Sequence, residues 1–312
     1  QNNSKGILFI LLGMALFSIQ DALIKFIYEE VALYELYFGR TLTALILLTC
    51  YLKFSKQRII LKTYYPFLTI VRVICFFFGF SFFYISLTFM SLAEANALFF
   101  SSPFFVSILA TIFLKEKVGI RRWSAILVGF VGVFIVLNPD FNNFDYMKLA
   151  PVICALCYSI SMTITKITSD KDNNYTQLIH LYMGATIISI LFFIFTGKGQ
   201  FNNFSDPTFQ FIFREWGTNP SFTVPFIIAM GTVATFSFYF VLTAYSIASP
   251  SVVSIYEYSL IIWSIITGFI LFDNIPTLRT FIGVITIIGA GLYIYLREKT
   301  KEQMIATDTP NR

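Results

Sequence analysis

The feature that most constrains this 312-residue chain is a succession of apolar stretches, each about as long as a bilayer is thick. A helix needs about 20 apolar residues to cross about 30 Å of hydrocarbon. Ten such stretches occur, at 6–27, 33–52, 64–89, 92–114, 121–138, 149–168, 175–196, 222–247, 250–272 and 278–296. Charged residues make up only 12% of the chain, against about 25% in soluble domains, and 38 residues are Phe. In lipid every backbone polar group must bond inside the protein, and a helix achieves that within one segment. A membrane barrel would read as short alternating segments, whereas these runs are apolar on all sides. The expected fold class is an all-α polytopic membrane protein with ten transmembrane helices, its constant partner the lipid bilayer.

The chain also repeats itself. Shifted by 157, Glu116 falls on Asp273, Gly119 on Pro276, Arg122 on Arg279 and Gly132 on Gly289. Shifted by 141, Ser18-Ile19 and Lys25 fall on Ser159-Ile160 and Lys166. Duplicated hydrophobic halves point to a transporter with one site near the midplane and a gate on either side of it.

Charge sets the expected orientation. With both termini on one side, as ten spans require, fifteen Lys and Arg fall on that side and four on the other. The positive-inside rule then places both termini in the cytoplasm of a bacterial inner membrane. The net charge of +5 follows from this topology and is no sign of nucleic acid. The first span holds Asp21 and Lys25 and lacks a small-residue cleavage site, so it reads as a retained helix rather than a signal peptide. Residues 197–221, rich in Asn, Asp, Pro and Gly, read as a surface loop. Cys50, Cys75, Cys154 and Cys157 all fall in spans. The Cys154-x-x-Cys157 spacing has no His or acid nearby to complete a metal site, and packing explains it better. No metal and no cofactor is expected.

An ionisable group in a span costs on the order of 3 kcal/mol at the helix centre and marks function by default. The candidates are Asp21, Lys25, Arg40, Arg72, Glu94, His180 and Glu257. At about 1.5 Å per residue they fall into two layers. Asp21 and Arg40 lie about 10 Å below the outer edge, with Glu94 near the rim; Arg72 lies about 12 Å and Glu257 about 10 Å above the inner edge, with His180 close by. Each acid–base pair is either a structural staple or a gate, and Asp21, Arg40, Glu94, Arg72 and Glu257 are the gating or coupling candidates. Carboxylates at this depth leave protons open as a coupling ion. Lys25 and Lys166 end equivalent helices, and snorkelling to the headgroups is expected.

Pro103, after Ser101-Ser102, predicts a kink in the fourth span; its counterpart is Leu260, beside Tyr256-Glu257-Tyr258-Ser259. Two Tyr and a Glu suit a planar, hydrogen-bonding or cationic small molecule, with Trp263 as a wall. Tyr256, Glu257, Tyr258, Trp263, Ser101, Ser102, Arg72 and His180 are the candidate substrate-binding residues. Gly129, Gly132, Gly283, Gly289 and Gly291 read as close helix contacts.

Three stretches resemble the bacterial drug/metabolite transporter superfamily, in its EamA-domain branch. They are Phe100-Ser101-Ser102-Pro103-Phe104 through Phe113-Leu114-Lys115-Glu116-Lys117 to Gly129–Gly132; Tyr256-Glu257-Tyr258-Ser259 through Trp263 to Asp273-Asn274-Ile275-Pro276; and Asp21-Ala22 to Lys25 with Glu35-Leu36 and Arg40. Asn274 stands where the common pattern has an acid. The resemblance implies two inverted five-helix repeats, 1–140 and 141–312, around a central cavity. It implies a secondary transporter working by alternating access, an importer of S-adenosylmethionine, riboflavin or an amino-acid-like compound, as monomer or homodimer. Export of amino acids or drugs is the alternative. A membrane-embedded enzyme lacks any nucleophile–base spacing here, and a channel has no use for the repeat.

Overall fold

The computed structural model describes residues 3–57, 60–113, 120–138, 145–168, 170–247 and 256–307. Among them every regular element is helical. The helices are α1 (Asn3–Ile27), α2 (Leu33–Phe54), α3 (Pro66–Ser86), α4 (Leu92–Phe99), α5 (Ser102–Phe113) and α6 (Ile120–Leu137). A short 3-10 turn, Tyr146–Leu149, leads into α7 (Ala150–Thr168), α8 (Asn174–Thr196), α9 (Pro207–Phe213), α10 (Pro220–Ile247), α11 (Ser259–Phe272) and α12 (Leu278–Thr307).

Six described stretches are long and apolar enough to cross a membrane: Ser4–Ile27, Pro66–Ser86, Leu92–Phe113, Tyr146–Thr165, Tyr175–Thr196 and Pro220–Val241. Leu127–Leu137, Ser259–Phe272 and Leu278–Ala290 are apolar but shorter. The second expected span is the 22-residue helix α2, whose Glu35 and Arg40 dilute its apolar character. The chain is a multi-pass membrane protein.

Local chemistry explains where the helices start. Pro66 opens α3, where a missing N–H costs nothing. Asn173 accepts the Thr176 N–H at 2.7 Å and caps α8. Ser91 and Glu94 form a capping box on α4: each side chain accepts the other's backbone N–H, both at 3.2 Å.

The packing has a definite order. α1 runs along α10 and against α11, while α3 runs along α7, which also touches α5 and α4. α2 pairs with α8, α6 with α12, and α4 with α11; α2 reaches α10 and α3 reaches α8. α6 and α12 meet at glycines, where a Cβ on Gly132 would sit 3.0 Å from the Gly283 carbonyl oxygen. Gly129 faces the Phe104 ring, but Gly289 has nothing within 4 Å and is no contact glycine. It turns away from α6, so its match with Gly132 in the repeat does not carry a matching contact. Cys157 packs against Gly79 in the α3–α7 seam and Cys154 is fully buried.

Two ends close the bundle. At one, the 28–32 turn meets the 197–219 segment: Gly217 N–H donates to Glu35 at 3.1 Å and Arg214 donates to the Tyr28 carbonyl at 3.2 Å. At the other, residues 60–65 meet the turn between α7 and α8.

Candidate functional site

The fourth span is interrupted, and a turn stands just ahead of α11. α4 ends at Phe99 and α5 begins at Ser102, with Phe100-Ser101 as a turn between them. Tyr256 is helical, Glu257-Tyr258 turns, and α11 begins at Ser259. The two turns are 157 positions apart, the offset of the sequence repeat. They share the same bond as well: Phe104 N–H donates to the Ser101 carbonyl, and Ile261 N–H to the Tyr258 carbonyl, both at 3.1 Å. The expected kink at Pro103 is thus a full break placed just ahead of it, and Pro103 sits in the first turn of α5, where a helix tolerates proline.

The two breaks touch each other. The Phe100 and Tyr258 rings lie 5.1 Å apart between centroids. Ser101 and Ser102 are buried here; Ser101 donates to the Leu98 carbonyl at 2.8 Å, and the Ser102 carbonyl accepts from Ser159 of α7 at 3.0 Å. The Glu257 carboxylate lies within electrostatic reach of the Tyr158 and Tyr258 hydroxyls. Tyr256 and Trp263 are half-buried against the same apolar cluster. Tyr158 continues the aromatic wall, its ring 5.3 Å from that of Phe99. The Phe100–Tyr258 contact joins the two turns, and Tyr256, Tyr258 and Trp263 share one apolar cluster with Phe100.

Toward the 28–32 end lies a buried polar network. Arg40 is 1% exposed, donates to the Tyr84 hydroxyl, and sits 5.5 Å from the Tyr84 ring centroid and 6.0 Å from that of Tyr37. Asp21, also buried, is within electrostatic reach of Arg40. Its carboxylate accepts from Asn96 Nδ2 at 3.4 Å, and the same amide donates to Ser264 Oγ at 3.0 Å. Asp21 and Arg40 thus share one network.

The remaining candidates have other partners. Arg72 donates to the side chain and backbone carbonyl of Gln177, with Asp172 as the carboxylate in reach, so Gln177 takes the place expected for Glu257. Its Nε is buried without a hydrogen bond, as is His180 Nδ1. His180 Nε2 bonds the Leu61 carbonyl at 2.8 Å. Both residues belong to the 60–65 end, where Asp172 also accepts Tyr64 N–H at 3.1 Å and the Thr63 hydroxyl. Glu94 is occupied by its capping box and by a Thr280 hydroxyl at 3.4 Å. Lys25 does not snorkel. Its ammonium donates to the carbonyls of Leu87 at 2.9 Å and Met90 at 2.5 Å and stands 5.8 Å from the Phe272 ring centroid. Helix ends expose unbonded carbonyls, and a cation that finds them has no need of the headgroups. The side chain of Lys166 and the stretch Leu114–Gly119 lie outside the described residues.

A cavity of about 370 Å³ opens at the 28–32 end, lined by Glu29, Glu30, Lys198, Arg214 and Glu215 among others. Burial lowers the Arg214 guanidinium below its ordinary value, and Glu30, Glu29 and Glu35 oppose that. This concavity belongs to surface loops and is separate from the helix breaks.

A count of charged side chains alone misses Asn96, Tyr37, Tyr84 and Ser264. A search of the spans for amides would have found Asn96, a neutral group that a charge count passes over.

The description of the EamA-like transporter family matches residues 4–138 and again residues 147–296. The chain belongs to the EamA-like transporter family. It is a transporter and not an enzyme. Among relatives in this family, the S-adenosylmethionine uptake transporter of Rickettsia prowazekii is 26% identical over 295 residues, covering 94% of this chain and 93% of that protein. The riboflavin transporter of Rhizobium johnstonii is 26% identical over 243 residues, or 78% of this chain and 74% of that one. A solved crystal structure superposes with a TM-score of 0.61 at 15% identity, covering 96% of this chain and 99% of the other, and so shares the fold.

Proposed function

We propose that this EamA-family member imports a small organic metabolite across a bacterial inner membrane by alternating access, with its substrate between the two helix breaks. The observation that carries this reading is the contact of two turns at repeat-related positions, one breaking the fourth span and one just ahead of α11. Such breaks, at membrane depth, free backbone groups for a ligand, and they recur at the midplane sites of transporters built from repeats. Ser101, Ser102, Tyr256, Glu257, Tyr258 and Trp263 are the proposed contacts: carboxylate, hydroxyls and aromatic faces for a planar or cationic compound. An S-adenosylmethionine-like or riboflavin-like substrate fits that chemistry and the names of the relatives.

Ten spans in two inverted five-helix repeats, 1–140 and 141–312, belong to the same proposal. Its support is the packing. Exchanging α1 with α7, α2 with α8, α3 with α10, α4–α5 with α11 and α6 with α12 turns the larger helix contacts into one another, whereas the smaller α4–α6, α4–α12 and α1–α3 contacts have no counterpart of like size. The α1–α10 pair becomes α7–α3, and α1–α11 becomes α7 with α4–α5. The charge bias supports cytoplasmic termini. Arg72 and His180 remain proposed as elements of the cytoplasmic half, acting with Gln177 and the 60–65 segment.

The experiment is uptake of labelled S-adenosylmethionine and riboflavin into cells carrying the protein, with thermal unfolding of the purified protein against the same compounds. A ligand at 100 times its Kd stabilises by about 2.7 kcal/mol. Uptake and stabilisation by neither compound would overturn the substrate reading, and a C-terminal reporter active only outside the cytoplasm would overturn the topology.

A further inference from the structure

The helices fall into two groups by their contacts. α1, α10 and α11 pack on one another through α1, and α3, α5 and α4 pack on α7, with α4 lying between the groups against α11 as well. The Ser159–Ser102 bond ties α5 to α7 in the second group, and a Ser18–Thr267 bond of 2.8 Å ties α1 to α11 in the first. At the 28–32 end, hydrogen bonds between the groups converge on two side chains. Asn96 of α4 donates to Asp21 of α1 and Ser264 of α11. Lys25 of α1 donates to the Leu87 and Met90 carbonyls at the end of α3.

Asn96 is poorly suited to being a passive staple. Its NH2 group has two protons and faces three acceptors: Asp21, Ser264 and the Leu92 carbonyl at 3.1 Å. Ser264 gives its own proton to the Leu260 carbonyl, so it can only accept from Asn96. Within its own helix, Leu92 offers Asn96 an acceptor that needs neither partner. The amide can therefore leave the other group and stay bonded. The ammonium of Lys25 likewise can rotate its three protons to water when the end opens. Asn96 also sits one turn before the break at Phe100-Ser101, and Ser264 lies less than two turns beyond the turn at Glu257-Tyr258. Movement at either break acts on the contact directly.

We propose that Asn96 and Lys25 form a releasable clamp that closes the transporter at its 28–32 end, and that the transport cycle breaks and remakes it. This rests on the alternating-access reading. It assigns closure to bonds between the groups, whereas the Asp21–Arg40 pair joins α1 to α2, which packs on α10 of the same group.

The test uses the full-length protein with the four native cysteines replaced and Leu260→Cys as reporter, a buried position just past the second break. A membrane-impermeant maleimide is applied from each face, to intact cells and to inverted vesicles. Asn96→Leu removes two cross-group bonds. Interhelical bonds in membranes average about 0.6 kcal/mol, or about threefold each, so labelling from the 28–32 face should rise about tenfold and labelling from the other face should fall. Lys25→Met should act in the same direction. Ser18→Ala, which removes a bond within one group, should leave both rates at the parent value. Rates unchanged in Asn96→Leu and Lys25→Met, or raised equally from both faces, would overturn the clamp. As a second measurement, Asn96→Cys with Ser264→Cys, without the reporter, should stop uptake when oxidised by copper-phenanthroline and regain it on reduction. Uptake at the parent rate in the cross-linked protein overturns the proposal. Absence of uptake by the parent protein would instead sink the transport reading on which it rests.

Discussion

Replacing Arg40 tests whether the buried charges act as one unit. Arg40→Met keeps most of the side-chain volume and removes the guanidinium from a site that is 1% exposed. The Tyr84 hydroxyl loses its donor, and the Tyr37 and Tyr84 rings lose a cation at 6.0 and 5.5 Å. The larger effect falls on Asp21, left buried without its nearby cation and with the Asn96 amide at 3.4 Å. Removing one member of a buried charge pair costs 3–5 kcal/mol. The retained amide argues for the low end, about 3 kcal/mol. Asp21→Asn alone should cost less, because Arg40 keeps its tyrosine faces and hydroxyl. The double substitution leaves no uncompensated charge and should be milder than the sum of the singles by about 2 kcal/mol, as for residues sharing one network. Unfolding of the detergent-solubilised protein by added SDS, followed by tryptophan fluorescence, gives all four free energies. Additive single effects would refute the reasoning, and so would a neutral Arg40→Met.

Glu257→Gln should abolish ligand-induced thermal stabilisation while leaving the unliganded unfolding temperature within a few degrees of the parent; unchanged stabilisation by S-adenosylmethionine or riboflavin would make the residue structural. Gly132→Ala should destabilise by about 1–3 kcal/mol, the range for overpacking, because its Cβ meets the Gly283 carbonyl at 3.0 Å and Ile287 Cγ1 at 2.8 Å. Gly289→Ala, with nothing within 4 Å, should be neutral or stabilise by up to about 1 kcal/mol from helix propensity, and equal effects in SDS unfolding would contradict this. Asp172→Asn should weaken its grip on Thr63 and Tyr64 by about 1–2 kcal/mol, read as roughly tenfold faster amide exchange at 61–65 with little change in the helices.

Much of this protein is legible in its residues. Apolar run length dictates a helical membrane protein, because lipid offers backbone groups no other partner. Pro103 and the Tyr256–Ser259 patch mark the two turns, since a missing N–H and a dense polar cluster are local properties. The 157-residue offset places those interruptions in register before any contact is known. Partners are a different matter. Position along a helix fixes depth, which is one coordinate of three; the rotation of each helix and the identity of its neighbours come from packing. Arg72 and Glu257 share a depth, yet Arg72 turns to Gln177 of α8. Lys25 has the length to reach headgroups, but the open end of α3 stands closer. Gly132 and Gly289 match in the repeat, and only one of them faces the seam. Asn96 carries no charge to draw attention, and it matters because three helices converge on it. Chemistry along the chain decides what each segment can be; only the meeting of segments decides which polar groups satisfy each other, because a buried hydrogen bond needs both ends within about 3 Å.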